Sequence, residues 1–579
     1  MDRTLPFASV ADMFARLEET AANLEMIDII AEFFRDLTPE QGKRVAYLLR
    51  GEVTPDYEGP EFGLASKLVI RALAYGKERS EEEVEDLFAE YGDLGTVAAM
   101  LAAEKTESDL TLEMVFQELT DLAFAAGEGS QEEKLRILSD LLGRATPREG
   151  KYIVRVVLST LRLGVGDMTF LNGLSKALTG DKKHKKTLEH GFNVFPDIGR
   201  LTAQAMREGV QPLAEEKPET GVPVRVMLAG RLKQIEQTFE HIPNAVHVEY
   251  KYDGERVQAH LLADGSVKLF SRRHEDITSQ FPDLVADLKG SFQGQKAIIE
   301  GEIVAVDPET GDLQSFQTLM QRRRKYNIEQ YIEKIPVRAF LFDLLSLNGE
   351  SYLDEPLRHR KTVLEEQFPE NKGVKPAKYL TTADAEEVES FFAEAAEWGA
   401  EGVIVKDAES TYQAGSRGYN WLKFKQDYHN ELGDTFDVVV IGGVYGTGRR
   451  AGTYGSLLVA AYAPEEGTYY SLTKVGAGFT DEHLEALPKK LDPHKIKEKP
   501  STVITDMSPD VWFDPAAVME IEGAELTISP THTTARDLLE DEGGLALRFP
   551  RFLRWREDKD ALQATTVSEV YDMYRALSE

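Results

Sequence analysis

The 579-residue chain predicts a multidomain α+β protein: an all-helical N-terminal part, an antiparallel-sheet middle part and a small C-terminal β-barrel. Three observations predict it. Apolar residues recur at helical spacing as far as about Met206. Beyond a stretch rich in Pro and Glu at 212–221 the pattern becomes period-two alternation. From Asp437 onward, short apolar stretches separated by glycines read as a small closed barrel. A length prior of about 150 residues per domain gives three or four domains. The boundaries drawn are 1–215, 216–428 and 429–579.

The elements follow in order. Ser9 reads as an N-cap with Val10, Met13, Phe14 and Leu17 on one face, and Thr38-Pro39 repeats the start signal. Polar helices are expected at 81–91 and 131–142. Thr160-Leu161-Arg162-Leu163-Gly164-Val165-Gly166-Asp167 reads as a helix, a glycine turn and a second helix through Leu171 and Leu174. Such glycines let backbone amides approach a phosphate, and they equally suit an ordinary interhelical turn. In the middle part, the alternation through Arg256, Gln258 and His260 and the Asp264-Gly265 turn predict a meander continuing from the preceding strand. Residues 298–304 place Glu300 and Glu302 on one face, and Arg338, Phe340 and Phe342 share a face before Asp343. The polar run at 426–436 is a second hinge, followed by strands near 437–443, 456–462, 469–475, 511–521 and 545–555.

Composition excludes several chemistries. There are no cysteines, so disulfides, thiolate metal sites and a cysteine nucleophile are out, and any metal is a hard ion on oxygen or a His site. No signal-like N-terminus or membrane span is legible, so the expectation is a cytoplasmic, nucleoid-associated protein without a membrane partner. A net charge of -33 opposes nucleic acid when read globally and suits a salty cytoplasm. Local charge differs: Lys151, Arg155, Arg162, Lys176, Lys182, Lys183 and Lys185 face only Asp167 and Asp181, and Arg548, Arg551, Arg554, Arg556 and Lys559 form a second cluster.

The stretch that organises the chain is His247-Val248-Glu249-Tyr250-Lys251-Tyr252-Asp253-Gly254-Glu255-Arg256. Its apolar parity predicts one buried face and its polar parity a face bearing Lys251 between carboxylates. A lysine becomes a covalent nucleophile only as the neutral amine, which asks for desolvation or nearby cations. The plain alternative is a solvated strand face. His247, His260 and His274 lack paired metal-ligand spacing and read as surface or packing residues.

Lys251-Tyr252-Asp253-Gly254-Glu255-Arg256-Val257 resembles the signature of the covalent nucleotidyltransferases, and the whole chain resembles the ATP-dependent DNA ligases of the archaeal and eukaryotic replicative type. The resemblance implies a helical DNA-binding domain, an adenylation (nucleotidyltransferase) domain and an OB-fold barrel. It implies attack of Lys251 on the α-phosphate of ATP, transfer of AMP to a 5'-phosphate and sealing by a 3'-hydroxyl, in DNA replication, repair and recombination. Glu249 matches the residue at the adenine edge and Phe342 the ring that stacks on adenine, with Phe340 in reserve. Arg256, Arg272, Arg417, Lys423 and Lys425 supply cations, which would also favour the neutral amine. Glu302 and Glu401 match positions holding ribose or Mg2+ (or Mn2+). Glu401 and Lys406 face oppositely in a regular strand, so one of them needs a bend. Arg162 belongs to the DNA-binding segment, and Arg554, Asp558 and Lys559 to a last motif that orients pyrophosphate. The partners implied are nicked double-stranded DNA and a sliding clamp, with a monomeric enzyme. An RNA ligase or capping-type enzyme, or a non-catalytic DNA-binding scaffold, are the alternatives.

Overall fold

The computed structural model describes residues 4–59, 62–232, 235–322, 328–425, 435–446, 453–523, 525–539, 543–548 and 550–578. The expected hinge at 426–436 lies outside these up to residue 434, as does Phe549. The chain forms two compact units, 1–77 with 102–428 and 78–101 with 429–579.

In the first unit the N-terminal part is helical from Phe7–Glu18 to Ile198–Glu208. Thr38 opens the helix Pro39–Arg50 with a capping box: its hydroxyl accepts from the Gln41 amide and the Gln41 side chain accepts from the Thr38 amide. Ser9 does not cap a helix, because the first one begins two residues earlier at Phe7, behind Pro6. Nor is Thr160-Leu161-Arg162 helical. The helix Pro147–Val157 ends before it, and the next, Asp167–Thr179, starts after Gly166. Between them Ser159, Arg162 and Gly164 have φ of 51, 55 and 69°, so the chain winds left-handed while Leu161 and Leu163 stay buried.

The stretch rich in Pro and Glu, whose composition reads as a linker, is docked, and the chain from it to Arg225 forms a strap. The 3-10 turn Gln211–Glu215 buries Leu213. The Gly221 amide donates to His260 Nδ1 at 2.9 Å, and Val224 exchanges two hydrogen bonds with the Gln258 side chain at 2.7 and 3.1 Å. Arg225 then bridges: its amide donates to the Asn193 carbonyl, its carbonyl accepts from Gly415, and its guanidinium pairs with Asp167 at 3.0 Å.

The middle part is two sheets. One runs Leu228–Arg231, Arg417–Lys425, Gly402–Asp407, Val246–Lys251, Tyr379–Thr382; the other runs Val267–Ser271, Glu255–Leu261, Ala297–Ala305, Val337–Leu347, Glu350–Ser351. Pairing is antiparallel except at Leu228–Arg231 with Arg417–Lys425 and at Val374–Pro376 with Val337–Leu347. The expected continuous meander is therefore broken at its start. Strand Val246–Lys251 belongs to the first sheet, and the chain crosses at Tyr252-Asp253-Gly254 to begin the second at Glu255. A Cβ on Gly254 would lie 2.2 Å from the Ile303 carbonyl oxygen, so only glycine permits the crossing there.

The second unit contains the helices Glu81–Tyr91 and Leu94–Leu101 and a curled sheet built on Phe436–Tyr445, Tyr454–Ala463 and Thr468–Val475. The expected strand at 511–521 is two, Val511–Phe513 and Val518–Glu522, separated at Pro515. Likewise 545–555 is Gly544–Arg548 and Arg551–Trp555, with Pro550 between. Proline has no amide to donate to a ladder, so each run splits at it.

His247 and His260 are interior residues. Burial pushes His247 down to about 4 and His260 down to about 3, with Lys361 and Lys268 respectively adding to it. An unfolded histidine takes its proton below about pH 6.5, so between there and the folded values the unfolded chain holds more protons. Stability is thus full above pH 6.5 and falls as pH drops toward these folded values. His260→Asn, which keeps a donor and an acceptor, is expected to flatten the slope of urea-melt stability over that range by up to about 1.4 kcal/mol per pH unit.

Candidate functional site

The strand Val246–Lys251 is buried on both parities, because the first sheet is covered on both faces. Its polar face points inward and is satisfied there. Both Glu249 carboxylate oxygens are taken: Lys361 reaches Oε1 at 2.7 Å and Lys406 reaches Oε2 at 2.6 Å, with all three side chains at most 3% exposed. Burial alone would raise the Glu249 carboxyl, but Lys361 and Lys406 outweigh it and hold it below the usual range. Lys406 lies 4.4 Å from the Phe342 ring centre and 4.1 Å from that of Trp421. Burial depresses its own proton affinity.

Two residues beyond Glu249, the Lys251 ammonium is paired with Glu401, and Lys425 reaches the same Glu401 oxygen at 2.7 Å. The Glu401 amide donates to the Lys251 carbonyl at 2.8 Å, so backbone and side chain are held together. Burial would raise the Glu401 carboxyl, yet Lys251 and Lys425 hold it down at about 2. The bend required between Glu401 and Lys406 is at Gly402, whose φ is +145°. A Cβ there would meet the Phe424 carbonyl oxygen at 2.2 Å.

Glu302 comes to the same place from the second sheet. Burial pushes its carboxyl up to about 7; Lys251 and Arg256 pull the other way, and Glu401 and Glu255 repel it. Asp253, in the crossing turn, accepts from the Phe316 amide at 3.0 Å. Lys423, on the strand Arg417–Lys425, is depressed by burial and then by Lys425, Lys251, Arg417 and Arg272, so these cations share one field. The arrangement is a lysine among carboxylates and fixed cations, suited to handling a polyphosphate.

Arg256 is placed differently. It donates to Glu300 Oε2 and to the Met227 carbonyl, both at 2.7 Å, beneath the rings of Phe342 and Trp421. Tyr412 donates to the same Glu300 oxygen at 2.9 Å. Phe342 is 9% exposed; Phe340 stacks on Tyr252 with ring centres 4.1 Å apart. Arg554, Asp558 and Lys559 lie in the second unit. Arg554 pairs with Glu520, while Arg556 and Lys559 converge on Asp437 and Asp558 takes the other side of Arg556. Arg162 is exposed on its left-handed loop. Of the N-terminal basic cluster, Lys151 and Arg155 are spent on Glu18, Lys176 on Asp28 and Lys183 on Asp181.

Sequence reasoning missed Lys361 and Arg360. Both sit on the helix Leu357–Gln367, and Arg360 forks onto Asp343 at 2.7 and 3.0 Å. A signal was present: Arg360 and Lys361 fall between Leu357 and Leu364 on the apolar stripe, where a charge must find a buried partner.

Among the described residues no group of three or more His, Asp and Glu side chains is arranged to hold a metal. Glu302 and Glu401 offer a two-carboxylate hard-oxygen set. Their mutual repulsion is one that a divalent cation would relieve, and Mg2+ commonly takes one or two carboxylates and completes its shell with phosphate and water.

Comparison with known proteins agrees along the chain. Residues 6–175 match the family described as "DNA ligase N terminus", 226–425 "ATP dependent DNA ligase domain" and 450–559 "ATP dependent DNA ligase C terminal region". "DNA ligase 2" of Thermofilum pendens is 44% identical, covering 99% of this chain and 98% of its own. The "DNA ligase" of Hyperthermus butylicus is 42% identical, covering 99% and 97%. The solved structure "Pmar-Lig_Pre." shares the fold, with a TM-score of 0.56 at 18% identity over 95% of this chain and 99% of that one.

Glu249→Ala would leave Lys361 and Lys406 buried without their carboxylate. A loss of about 3–5 kcal/mol in chemical-denaturation stability is expected, against less than about 1 kcal/mol for the exposed pair partner Glu32→Ala.

Proposed function

Because this chain belongs to the ATP-dependent DNA ligases and so seals nicks in duplex DNA at the expense of ATP through a lysine–AMP intermediate, we propose that Lys251 is the lysine that carries the AMP. The observation that supports this reading most is the convergence on Lys251 of Glu401, Glu302 and the cations around Lys423. The relatives are named as DNA ligases, which favours nick sealing over an RNA ligase, a capping-type enzyme or a non-catalytic scaffold.

In the first step the Lys251 ammonium gives a proton to solvent and the neutral amine attacks the α-phosphorus of ATP; the N–P bond forms, the P–O bond to pyrophosphate breaks, and a second nitrogen proton leaves to solvent as pyrophosphate departs. Glu401, charged down to about pH 2, orients the amine and does not store its proton. Lys423, Lys425, Arg272 and Arg417 neutralise phosphate charge as it shifts to the leaving group. AMP then passes to the 5'-phosphate, breaking the N–P bond, and the 3'-hydroxyl displaces AMP to join the strands. Glu302 and Glu401 would hold a divalent ion, which supplies charge neutralisation at the α-phosphate. Phe342, Glu249 and Lys406 form the adenine end, with Glu249 kept as a charged group by its two lysines; Arg256 braces Phe342 from beneath. Arg554, Asp558 and Lys559 act on pyrophosphate in the first step, and Arg162 contacts the DNA backbone. Residues 1–215 grip the duplex, 216–428 perform adenylation and 429–579 form the OB part. The working form is a monomer, with a sliding clamp as its partner on DNA.

The defining test uses labelled ATP. Lys251→Ala is expected to lose the protein-bound adenylate and the sealing of an ordinary nick by at least about 1000-fold, while a nick supplied already adenylated still seals. Label retained at wild-type level on the variant would end the assignment. A second expectation concerns pH. Glu302, pushed up to about 7, sheds its proton to bind a cation, so adenylate formation at limiting Mg2+ should climb as pH rises through 7. Saturating Mg2+ should move the midpoint lower, and Glu302→Gln should remove the Mg2+-dependent shift.

A further inference from the structure

The strand Arg417–Lys425 carries a bulge immediately before its two lysines. Its neighbour Leu228–Arg231 pairs Ala229 with Gly418 and then Gly230 with Leu422, skipping Tyr419, Asn420 and Trp421 on that side. The backbones are close here: a Cβ on Gly230 would stand 3.2 Å from the Gly418 carbonyl oxygen and 3.3 Å from Leu422. Bulges re-aim side chains beside active sites, and this one divides two aromatics. Trp421 turns inward, 2% exposed, against Arg256 and Lys406. Tyr419 turns outward and is 64% exposed.

Tyr419 is not loose on the surface. Its ring stacks on His241, also exposed, with centres 4.6 Å apart and planes 12° from parallel. The stack presents a flat, preordered aromatic surface to water. Cations stand on the same strand and the one beside it: Arg417 is two residues before Tyr419 and exposed, Lys423 is four residues after, and exposed Arg231 on the adjoining strand pairs in register with Lys423. A flat, exposed ring pair at a sheet edge that also carries cations is the pattern of a nucleic-acid stacking platform, in which rings meet the sugar and base faces and cations meet the backbone.

We propose that Tyr419 and His241 form a contact platform for the DNA strand at the nick, packing on its sugar and base face while Arg417 and Lys423 neutralise the flanking phosphates. The proposal rests on reading Lys423 and Arg417 as phosphate ligands. The bulge places the platform on the strand that carries Lys423 and Lys425, so the residues that grip the strand and those that handle its phosphate move as one body.

The test is equilibrium binding of a nicked duplex by fluorescence anisotropy at a series of salt concentrations, with thermal melting as a check on folding. Tyr419→Ala is expected to weaken binding about 10-fold, His241→Ala about 3-fold, and Tyr419→Phe less than about 2-fold. The slope of log affinity against log salt should stay parental in all three, since no phosphate contact is lost. Lys423→Ala, measured alongside, should reduce that slope by about one unit. Binding by Tyr419→Ala within about 2-fold of the parent overturns the platform, and would leave the rings to a protein partner. A parental slope in Lys423→Ala with weakened Tyr419→Ala overturns only the phosphate reading beneath it. If Tyr419→Ala melts early, Tyr419→Phe and His241→Ala decide the matter, and equal ~10-fold losses in both refute stacking.

Discussion

The structure depends most on one buried carboxylate. Glu249 sits between Lys361 and Lys406 with almost no access to water, on an inner strand of the first sheet. Removing an ion from water costs several kcal/mol, and the cost is met only where geometry is good on every side. Here three elements must be in register to provide it: strand Val246–Lys251, strand Gly402–Asp407 and helix Leu357–Gln367. The same helix fixes Asp343 through Arg360, on the strand that bears Phe342. One helical turn thus locks the strand that ends in Lys251 to the strand that ends the aromatic wall. The charges are poorly suited to adding stability and well suited to selecting a single register.

Around that lock the reactive groups are delivered by chain reversals that glycine alone allows. Gly254 lets the chain leave Lys251 and enter the second sheet against Ile303, which brings Glu302 to the amine. Gly402 turns Glu401 toward Lys251 while the next residues run on to Lys406. The site therefore lies where two sheets exchange chain, and its carboxylates come from both. A docked strap at 221–225 ties the helical part to this core through Gln258, His260 and Asp167, so in the first unit the helical part and the sheets share one hydrogen-bonded frame.

An acidic chain that works on a polyanion needs its positive charge concentrated. Burial, and then Lys425, Lys251, Arg417 and Arg272, lower the proton affinity of Lys423, and the Glu401 carboxylate stands against Lys251 and Lys425. By contrast the basic run at 151–186, which looks like a binding patch in one dimension, pairs Lys151 and Arg155 with Glu18 and Lys176 with Asp28, acids outside the run. Counting charges along a segment overstates its field, because partners distant in sequence cancel them.

Local rules were legible from the residues: helix capping at Thr38, the helix Glu81–Tyr91 and the presence of a strand running up to Lys251, though not that both of its faces would be buried. These depend on spacing along the chain, which sequence carries directly. What tertiary structure alone decided was where each face points. Parity assigned Glu249 and Lys251 to one face, but not that Lys361, 112 residues away from Glu249, would neutralise the first, or that Glu401 would meet the second. The meander was misread across Gly254 because a change of sheet leaves the period-two pattern intact. Proline at 515 and 550 cut strands that hydropathy alone joined. A sequence determines which surfaces must be buried and which charges must find partners; only the closed fold, by bringing remote carboxylates and cations within hydrogen-bond distance, decides which partners they find.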